Sequence, residues 1–177
     1  MHSEATALET LKFLRNNYLE LIEKVDLESM SAETFDFHVK QNSPVRPFRI
    51  AAWLARQGQL ISIWSLWEYY ARSLCQSLPN KETKASNEST VAWVGRSLTA
   101  NKIAFRDQAW FENANSLRNL IAHNGTRADS PKSNTLLAKA RAAFPEIEAW
   151  QDGYICLEHE HVAELHWRVE EFIRTSR

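Results

Sequence analysis

The sequence predicts an all-α protein, a bundle of about five or six helices with at most one minor β-hairpin. Only four glycines and five prolines occur among its 177 residues, so few turns are obligatory. Hydrophobic residues make up 44% of the chain and seven residues are tryptophans, which is enough to close a large core. Apolar residues recur at steps of three and four, as on one face of a helix. Because no internal repeat or linker is evident, we expect residues 1–177 to form one domain.

Six segments carry the helical periodicity. The longest is followed by Pro79 and a polar stretch, which predicts a surface loop up to Thr90. The fourth stops at Asn124-Gly125, a typical helix end, and a second loop is expected from there to Asn134. The approximate bounds of the predicted helices are 4–25, 48–78, 91–98, 107–123, 136–140 and 162–173.

Two segments depart from this pattern. In residues 26–46, Ser31 is a candidate cap for a short helix, but Phe35, Phe37 and Val39 alternate like a strand. Pro44 and Pro47 end whichever element forms there. Farther on, Asp152-Gly153 is a candidate turn of a small hairpin, with residues 154–157 as one arm.

The two cysteines, Cys75 and Cys156, match neither a disulfide framework nor a metal-binding spacing, which favours a reducing compartment. The first residues show no basic region followed by an apolar stretch, so we expect no signal peptide. The longest apolar run, residues 50–55, is too short to span a bilayer. Together these features predict a cytoplasmic protein without a membrane anchor.

The net charge of −1 argues against a general nucleic-acid binder, but the charges are distributed unevenly. Residues 95–141 contain eight lysines and arginines and three acidic residues, a local excess of five positive charges. Such an asymmetry permits a local phosphate-binding surface on a nearly neutral protein.

The helix that ends at Gly125 carries the best candidate for chemistry. Glu112, Ser116, Asn119 and His123 recur at helical steps, which places His123 on a polar face in the last turn. Asn119 lies one turn earlier and is within reach of the imidazole. Arg118 lies about 140° around the helix from His123, so one helix does not force the two side chains together.

Residues 118–125, with the sequence RNLIAHNG, resemble the signature of the HEPN superfamily, in particular bacterial members of toxin–antitoxin and phage-defence systems. The resemblance implies a metal-independent endoribonuclease that needs no cofactor. Two protomers are expected to pair as a homodimer so that both motifs line one cleft, with an antitoxin or operon partner as a further possibility. In that reading a 2′-hydroxyl of RNA attacks the adjacent phosphate, His123 is the general acid or base, Arg118 stabilises the developing charge, and Asn119 orients His123 or contacts the phosphate.

Three other interpretations stay open. Some HEPN proteins are non-catalytic dimeric interaction or nucleotide-binding modules. Arg118 and His123 are also compatible with an ordinary surface helix end, where a histidine caps and an arginine is solvated. The chain is also compatible with an unrelated helical bundle that dimerises through its tryptophans.

Glu68 is a supporting candidate. It lies within the apolar stripe of the long helix, where an unpaired carboxylate would be costly, and it resembles an acidic position that many HEPN members carry on an early helix. Arg118 on a neighbouring helix is one possible partner, and Arg72, one turn along, is the other.

Weaker candidates lie elsewhere. Residues 158–161 (EHEH) and His166 look rich in ligands, but no histidine pair there has the spacing that puts two ligands on one helix face, so we expect no metal site. Cys75 lies on an apolar stripe and is expected in the core. Trp67, beside Glu68 and off the main stripe, is a candidate interface residue.

Overall fold

The structure is a computed structural model that describes residues 3–39, 47–124, 126–149 and 153–176, without the side chains of residues 25–39, 47–52 and 124. Over these residues it contains six helices and one two-stranded hairpin, which confirms the predicted all-α bundle. The elements are α1 (Glu4–Val39), α2 (Pro47–Ser77), α3 (Thr90–Ala100), α4 (Gln108–Asn124), α5 (Pro131–Ala143), β1 (Glu148–Ala149), β2 (Ile155–Cys156) and α6 (His159–Thr175).

The first helix is longer than the prediction. It continues to Val39, so the alternation of Phe35, Phe37 and Val39 does not mark a strand, and Ser31 does not start a separate helix. Extending an existing helix by one residue costs far less than nucleating a new element, and the intervening Leu27, Glu28, Met30, Ala32 and Glu33 include good helix formers. Of the two prolines at the end of this segment, Pro44 lies outside the described residues and Pro47 begins α2.

The fifth helix begins earlier than predicted, within the expected loop. Ser130 is its N-cap, and its hydroxyl accepts from the backbone N–H of Ser133 at 3.1 Å. The backbone N–H of Ser130 donates in turn to the Ser133 hydroxyl at 2.9 Å, and Pro131 occupies the first helical position. This reciprocal cap and the preset backbone of proline start the helix at Pro131.

The minor hairpin is present, and a third segment runs alongside it. Ala149 pairs with Ile155 in the antiparallel register of β1 and β2, while Asp152 of the predicted turn lies outside the described residues. Thr126–Ala128 lies on the other side of β2, where Arg127 and Tyr154 form an antiparallel bridge. The segment that follows α4 is thereby joined to the hairpin.

The core is centred on α2, which packs against α1, α3, α4 and α6. A helix surrounded in this way is buried around most of its circumference. Trp67 is therefore fully buried, with its ring centroid 4.8 Å from that of Phe111 and 5.8 Å from that of Phe172. Its prediction as an interface residue is wrong, whereas Cys75 lies in the core as predicted, and burial raises the pKa of its thiol. No helix among the described residues is long and apolar enough to cross a membrane.

Candidate active site at the end of helix α4

Helix α4 carries a buried face and a solvent-facing edge. Phe111, Leu117 and Leu120 are fully buried against the bundle. Arg118 and Asn119 are half-buried, and His123 is exposed in the last turn. The apolar face thus anchors the helix, while its edge presents the residues of the predicted motif to solvent.

Arg118 and His123 meet within a single chain. Nη1 of Arg118 lies 3.4 Å from Nε2 of His123. A guanidinium can only donate, so a hydrogen bond between the two requires the imidazole tautomer that has its lone pair on Nε2 and its proton on Nδ1. The long arginine side chain spans the angle of about 140° that separates the two positions on the helix. A second chain is therefore not required to bring the two groups together.

Asn119 contacts the arginine. Its Oδ1 accepts a hydrogen bond from Nη1 of Arg118 at 3.0 Å. The structure therefore differs from the expectation that Asn119 orients the imidazole, because the amide oxygen holds the guanidinium and the guanidinium in turn reaches His123. The contacts therefore run from Asn119 to Arg118 and from Arg118 to His123.

Glu68 does not complete this group. It is half-buried on α2, and within the described residues it forms no ion pair with either Arg118 or Arg72. Arg72 instead donates to the hydroxyl of Thr90 at 3.3 Å. A half-buried carboxylate keeps part of its hydration, so the desolvation free energy of Glu68 is smaller than the sequence pattern indicated. Glu68 therefore does not need a cationic partner.

Thr126 stabilises the end of α4, a role that the sequence analysis did not predict. Its backbone has a φ of 64°, its backbone N–H donates to the carbonyl of Leu120 at 3.2 Å, and its side chain is buried. The hydroxyl donates to Oε1 of Gln57 on α2 at 2.9 Å. No sequence pattern predicts this contact, since the two residues are 69 positions apart and belong to no motif of fixed spacing.

The histidines at the start of α6 have structural contacts. His159 stacks on Tyr18 with ring centroids 5.5 Å apart, and Nδ1 of His161 accepts from the backbone N–H of Glu158 at 2.9 Å. Nε2 of His166 donates to the carbonyl of Leu11 at 3.3 Å. These contacts hold α6 to α1 and cap its first turn. Within the described parts of the chain, no three His, Cys, Asp or Glu side chains are grouped so that they could hold a metal ion.

Most of the basic residues of segment 95–141 face solvent. Arg96 pairs with Glu82 and Glu88, and Arg127 pairs with Asp129. The others that are exposed form no ion pair among the described residues: Lys102, Arg106, Lys132, Lys139 and Arg141. Segment 95–141, which includes α4, therefore carries exposed cations that can bind an anionic partner.

The fold and the site together define a helical-bundle protein in which an exposed histidine contacts a half-buried arginine at a helix end. Comparison with known proteins identifies no particular relative, because no family model, no curated protein and no solved structure matches this chain.

Proposed function

We propose that the protein is a metal-independent endoribonuclease that uses His123 and Arg118 as its catalytic pair. The observation that carries this proposal is the 3.4 Å contact between Arg118 Nη1 and His123 Nε2 on an exposed helix end. An imidazole with a bare nitrogen is a general base near neutral pH, and a guanidinium beside it is a donor suited to phosphate oxygens.

The reaction uses groups that this pair supplies. Nε2 of His123 takes the proton of a ribose 2′-hydroxyl, and the 2′-oxygen attacks the adjacent phosphorus. Arg118 leaves the imidazole and donates to the non-bridging oxygens, where negative charge grows in the transition state. The bond from phosphorus to the 5′-oxygen breaks, and that oxygen takes up a proton from a water molecule, while the His123 imidazolium returns its proton to the solvent. The products are a 2′,3′-cyclic phosphate and a free 5′-hydroxyl.

Asn119 has a positioning role in this mechanism. Its Oδ1 holds the guanidinium at 3.0 Å, which limits the rotamers of a flexible side chain before substrate binds. The unpaired cations of segment 95–141 supply contacts to the RNA backbone, so cleavage should weaken as the salt concentration rises.

The resemblance of residues 118–125 to HEPN ribonucleases extends the proposal to a cytoplasmic homodimer in a toxin–antitoxin or phage-defence system. Arg118 and His123 occupy the positions at which the HEPN motif carries the arginine and the histidine of RNA cleavage. Arg118 and His123 already meet in one chain, so a homodimer would place two such pairs in one cleft.

The test is cleavage of total cellular RNA by the purified protein in the presence of EDTA. We expect His123→Ala and Arg118→Ala each to lower the rate by roughly 100-fold or more. Arg174→Ala is the matched control, because it removes an exposed arginine of α6 that lies outside segment 95–141 and pairs with Glu170. Circular dichroism should show that all three variants remain folded, since substitutions at such positions rarely cost much stability.

Two results would contradict the proposal. Cleavage that survives His123→Ala places the activity elsewhere or in a contaminant. A dimer that binds RNA but releases no 2′,3′-cyclic phosphate favours the non-catalytic module instead.

A further inference from the structure

A stack of two flat side chains lies just beyond the candidate active site. The guanidinium carbon of Arg127 lies 5.2 Å from the centroid of the Tyr154 ring. The two residues are partners in the antiparallel bridge between the segment after α4 and the hairpin, so their side chains lie on the same face of that ladder.

Backbone and side-chain contacts hold this stack in place. The N–H of Ala128 donates to the carbonyl of Gly153 at 2.8 Å, and the N–H of Ile155 donates to the carbonyl of Thr126 at 2.9 Å. The ring of Trp53 meets the Tyr154 ring edge-on, with centroids 5.5 Å apart and an interplanar angle of 90°. The Trp53 indole N–H donates to the carbonyl of Ile155 at 2.9 Å. Arg127 and Tyr154 therefore form a platform that these contacts hold in place without a ligand.

The charge of Arg127 is already balanced. Its Nε lies 3.1 Å from Oδ2 of Asp129, yet 47% of the Arg127 side chain remains exposed. A phosphate gains less from a cation that is paired with a carboxylate. What the stack offers instead is a flat, weakly hydrated guanidinium surface, which is a surface on which nucleobases stack.

The position of the stack relates it to the proposed chemistry. Arg127 follows His123 by four residues, so the chain limits the separation of their Cα atoms to about 14 Å. The hydrogen bond from Thr126 N–H to the Leu120 carbonyl fastens this short connection to the last turns of α4. A base that rests on Arg127 therefore belongs to a nucleotide close to the phosphate at His123.

We infer that the Arg127–Tyr154 stack binds an unpaired nucleobase beside the cleaved phosphate, and that the substrate is single-stranded RNA. The inference rests on the proposed function for its assignment of the cleaved phosphate. A base inside a duplex is stacked on its neighbours on both sides and cannot reach such a platform without being extruded. The stack thus selects single strands, loops or bulges.

The experiment measures binding to the full-length wild-type chain by fluorescence anisotropy. The probes are a short labelled RNA single strand in which fluorine replaces every 2′-hydroxyl, so that 2′-hydroxyl attack is impossible, and the same strand in a duplex. We expect Arg127→Ala to weaken single-strand binding by roughly 5- to 150-fold, the usual effect of losing one stacked base. Arg127→Lys should lose most of the same affinity, because an ammonium keeps the charge but has no plane.

Matched variants separate stacking from charge and from folding. Arg174→Lys keeps the charge of an exposed arginine on α6, outside both the stack and segment 95–141, and should bind like the wild type. Tyr154→Phe keeps the supporting ring and should also bind well, whereas Tyr154→Leu should resemble Arg127→Ala. The urea midpoint of each variant shows whether it is folded.

The outcomes distinguish this inference from the proposed function. If Arg127→Lys binds the single strand like the wild type, or if the duplex binds equally well, the stack is not a base platform, whether or not RNA is cut. If binding depends on the plane of Arg127 but no unmodified RNA is cleaved, the platform stands and the nuclease proposal fails. If the chain binds neither probe, the platform is overturned.

Discussion

Two histidines of α6 that have little contact with solvent, His161 and His166, should make the stability of the fold sensitive to acid. His161 is buried and the His166 side chain is only 12% exposed. Burial lowers the pKa of the His161 imidazole, although Glu158, Glu160 and Glu146 act in the opposite direction. Burial likewise lowers the pKa of the His166 imidazole against the hydrogen bond to Leu11 and the charge of Glu170. Both residues are therefore neutral in the folded chain over a pH range where the unfolded chain is already protonated.

The sign of the pH dependence follows from these shifts. In the unfolded chain a histidine gains its proton near pH 6.5, so the unfolded state binds more protons once the pH falls below about that value. The stability that neutral His161 and His166 contribute is present above it and is lost as the pH falls through their lower pKa values. We expect the urea midpoint to decrease from neutral pH to about pH 5.

A single substitution tests this assignment. His161→Gln keeps an acceptor for the backbone N–H of Glu158, as glutamine does in an N-terminal capping box, but it cannot take up a proton in this range. The loss of stability in acid should therefore be smaller in His161→Gln, and smaller still when His166→Gln is added. Equal slopes of midpoint against pH in wild type and double variant would show that other groups cause the acid sensitivity.

At the scale of single residues, the sequence predicted what local periodicity determines. The helical period and the stop at Gly125 were enough to place His123 in the last turn, with Asn119 one turn earlier. The direction of the Arg118 side chain depends on its rotamers, which spacing along one helix does not decide. The contact between Thr126 and Gln57 depends on how α2 packs, so no local pattern contains it.

At the scale of elements, one arginine holds the loop between α2 and α3. Arg96 on α3 donates through Nε and Nη2 to the Glu88 carboxylate, and through Nη2 to the carbonyl of Thr83 at 3.1 Å. Its Nη1 also pairs with the carboxylate of Glu82. Arg96 lowers the pKa of the Glu88 carboxyl group chiefly through the hydrogen bond between them. Three points of an otherwise irregular segment are thus fastened to one side chain.

We predict that Arg96→Ala loosens this loop without unfolding the bundle. Trypsin should then cut after Lys81 and Lys84 severalfold faster, because cleavage requires the local backbone to open. The urea midpoint should stay close to that of the wild type, since exposed ion pairs contribute little to global stability. Arg174→Ala is the control: it removes an exposed ion pair with Glu170 on α6 and should leave cleavage of the loop unchanged. Unchanged cleavage in Arg96→Ala would contradict the role of Arg96.

The helices were predictable to different degrees. Helices α2, α3, α4 and α6 have long apolar stripes with clear ends, and their predicted bounds agree closely with the structure. The short alternation near Val39 was ambiguous because a few residues fit either period. The start of α5 depends on a serine–serine cap, which is a weaker signal than the usual pairing of serine with glutamate or glutamine.

At the scale of the whole molecule, one aromatic cluster joins three helices. Trp64 and Trp67 of α2 pack with Phe111 of α4, and Trp67 and Phe111 also contact Phe172 of α6. The composition indicated a tryptophan-rich core, but periodicity does not tell which helices face one another. The central position of α2 explains why Trp64 and Trp67, two of its three tryptophans, are fully buried.

This arrangement predicts very different costs for two tryptophans of the same chain. Trp67→Ala should lower the free energy of unfolding by roughly 3–5 kcal/mol, because it leaves a large cavity where α2, α4 and α6 meet. Trp167 on α6 is 53% exposed, and the guanidinium carbon of Arg168 lies 4.6 Å from the centroid of its ring. Trp167→Ala should therefore lower the free energy of unfolding by about 1 kcal/mol or less. Urea unfolding followed by circular dichroism at neutral pH measures both.

A third variant shows whether it is the volume of Trp67 that matters. Within the described residues the buried indole N–H of Trp67 has no hydrogen-bond partner. Trp67→Phe removes this unsatisfied donor, so part of the cost of the smaller ring should be offset and the loss should fall well below that of Trp67→Ala. If Trp67→Phe is as damaging as Trp67→Ala, the indole N–H is making an interaction that stabilises the bundle. If Trp67→Ala costs no more than Trp167→Ala, the three helices do not depend on a shared core at this position.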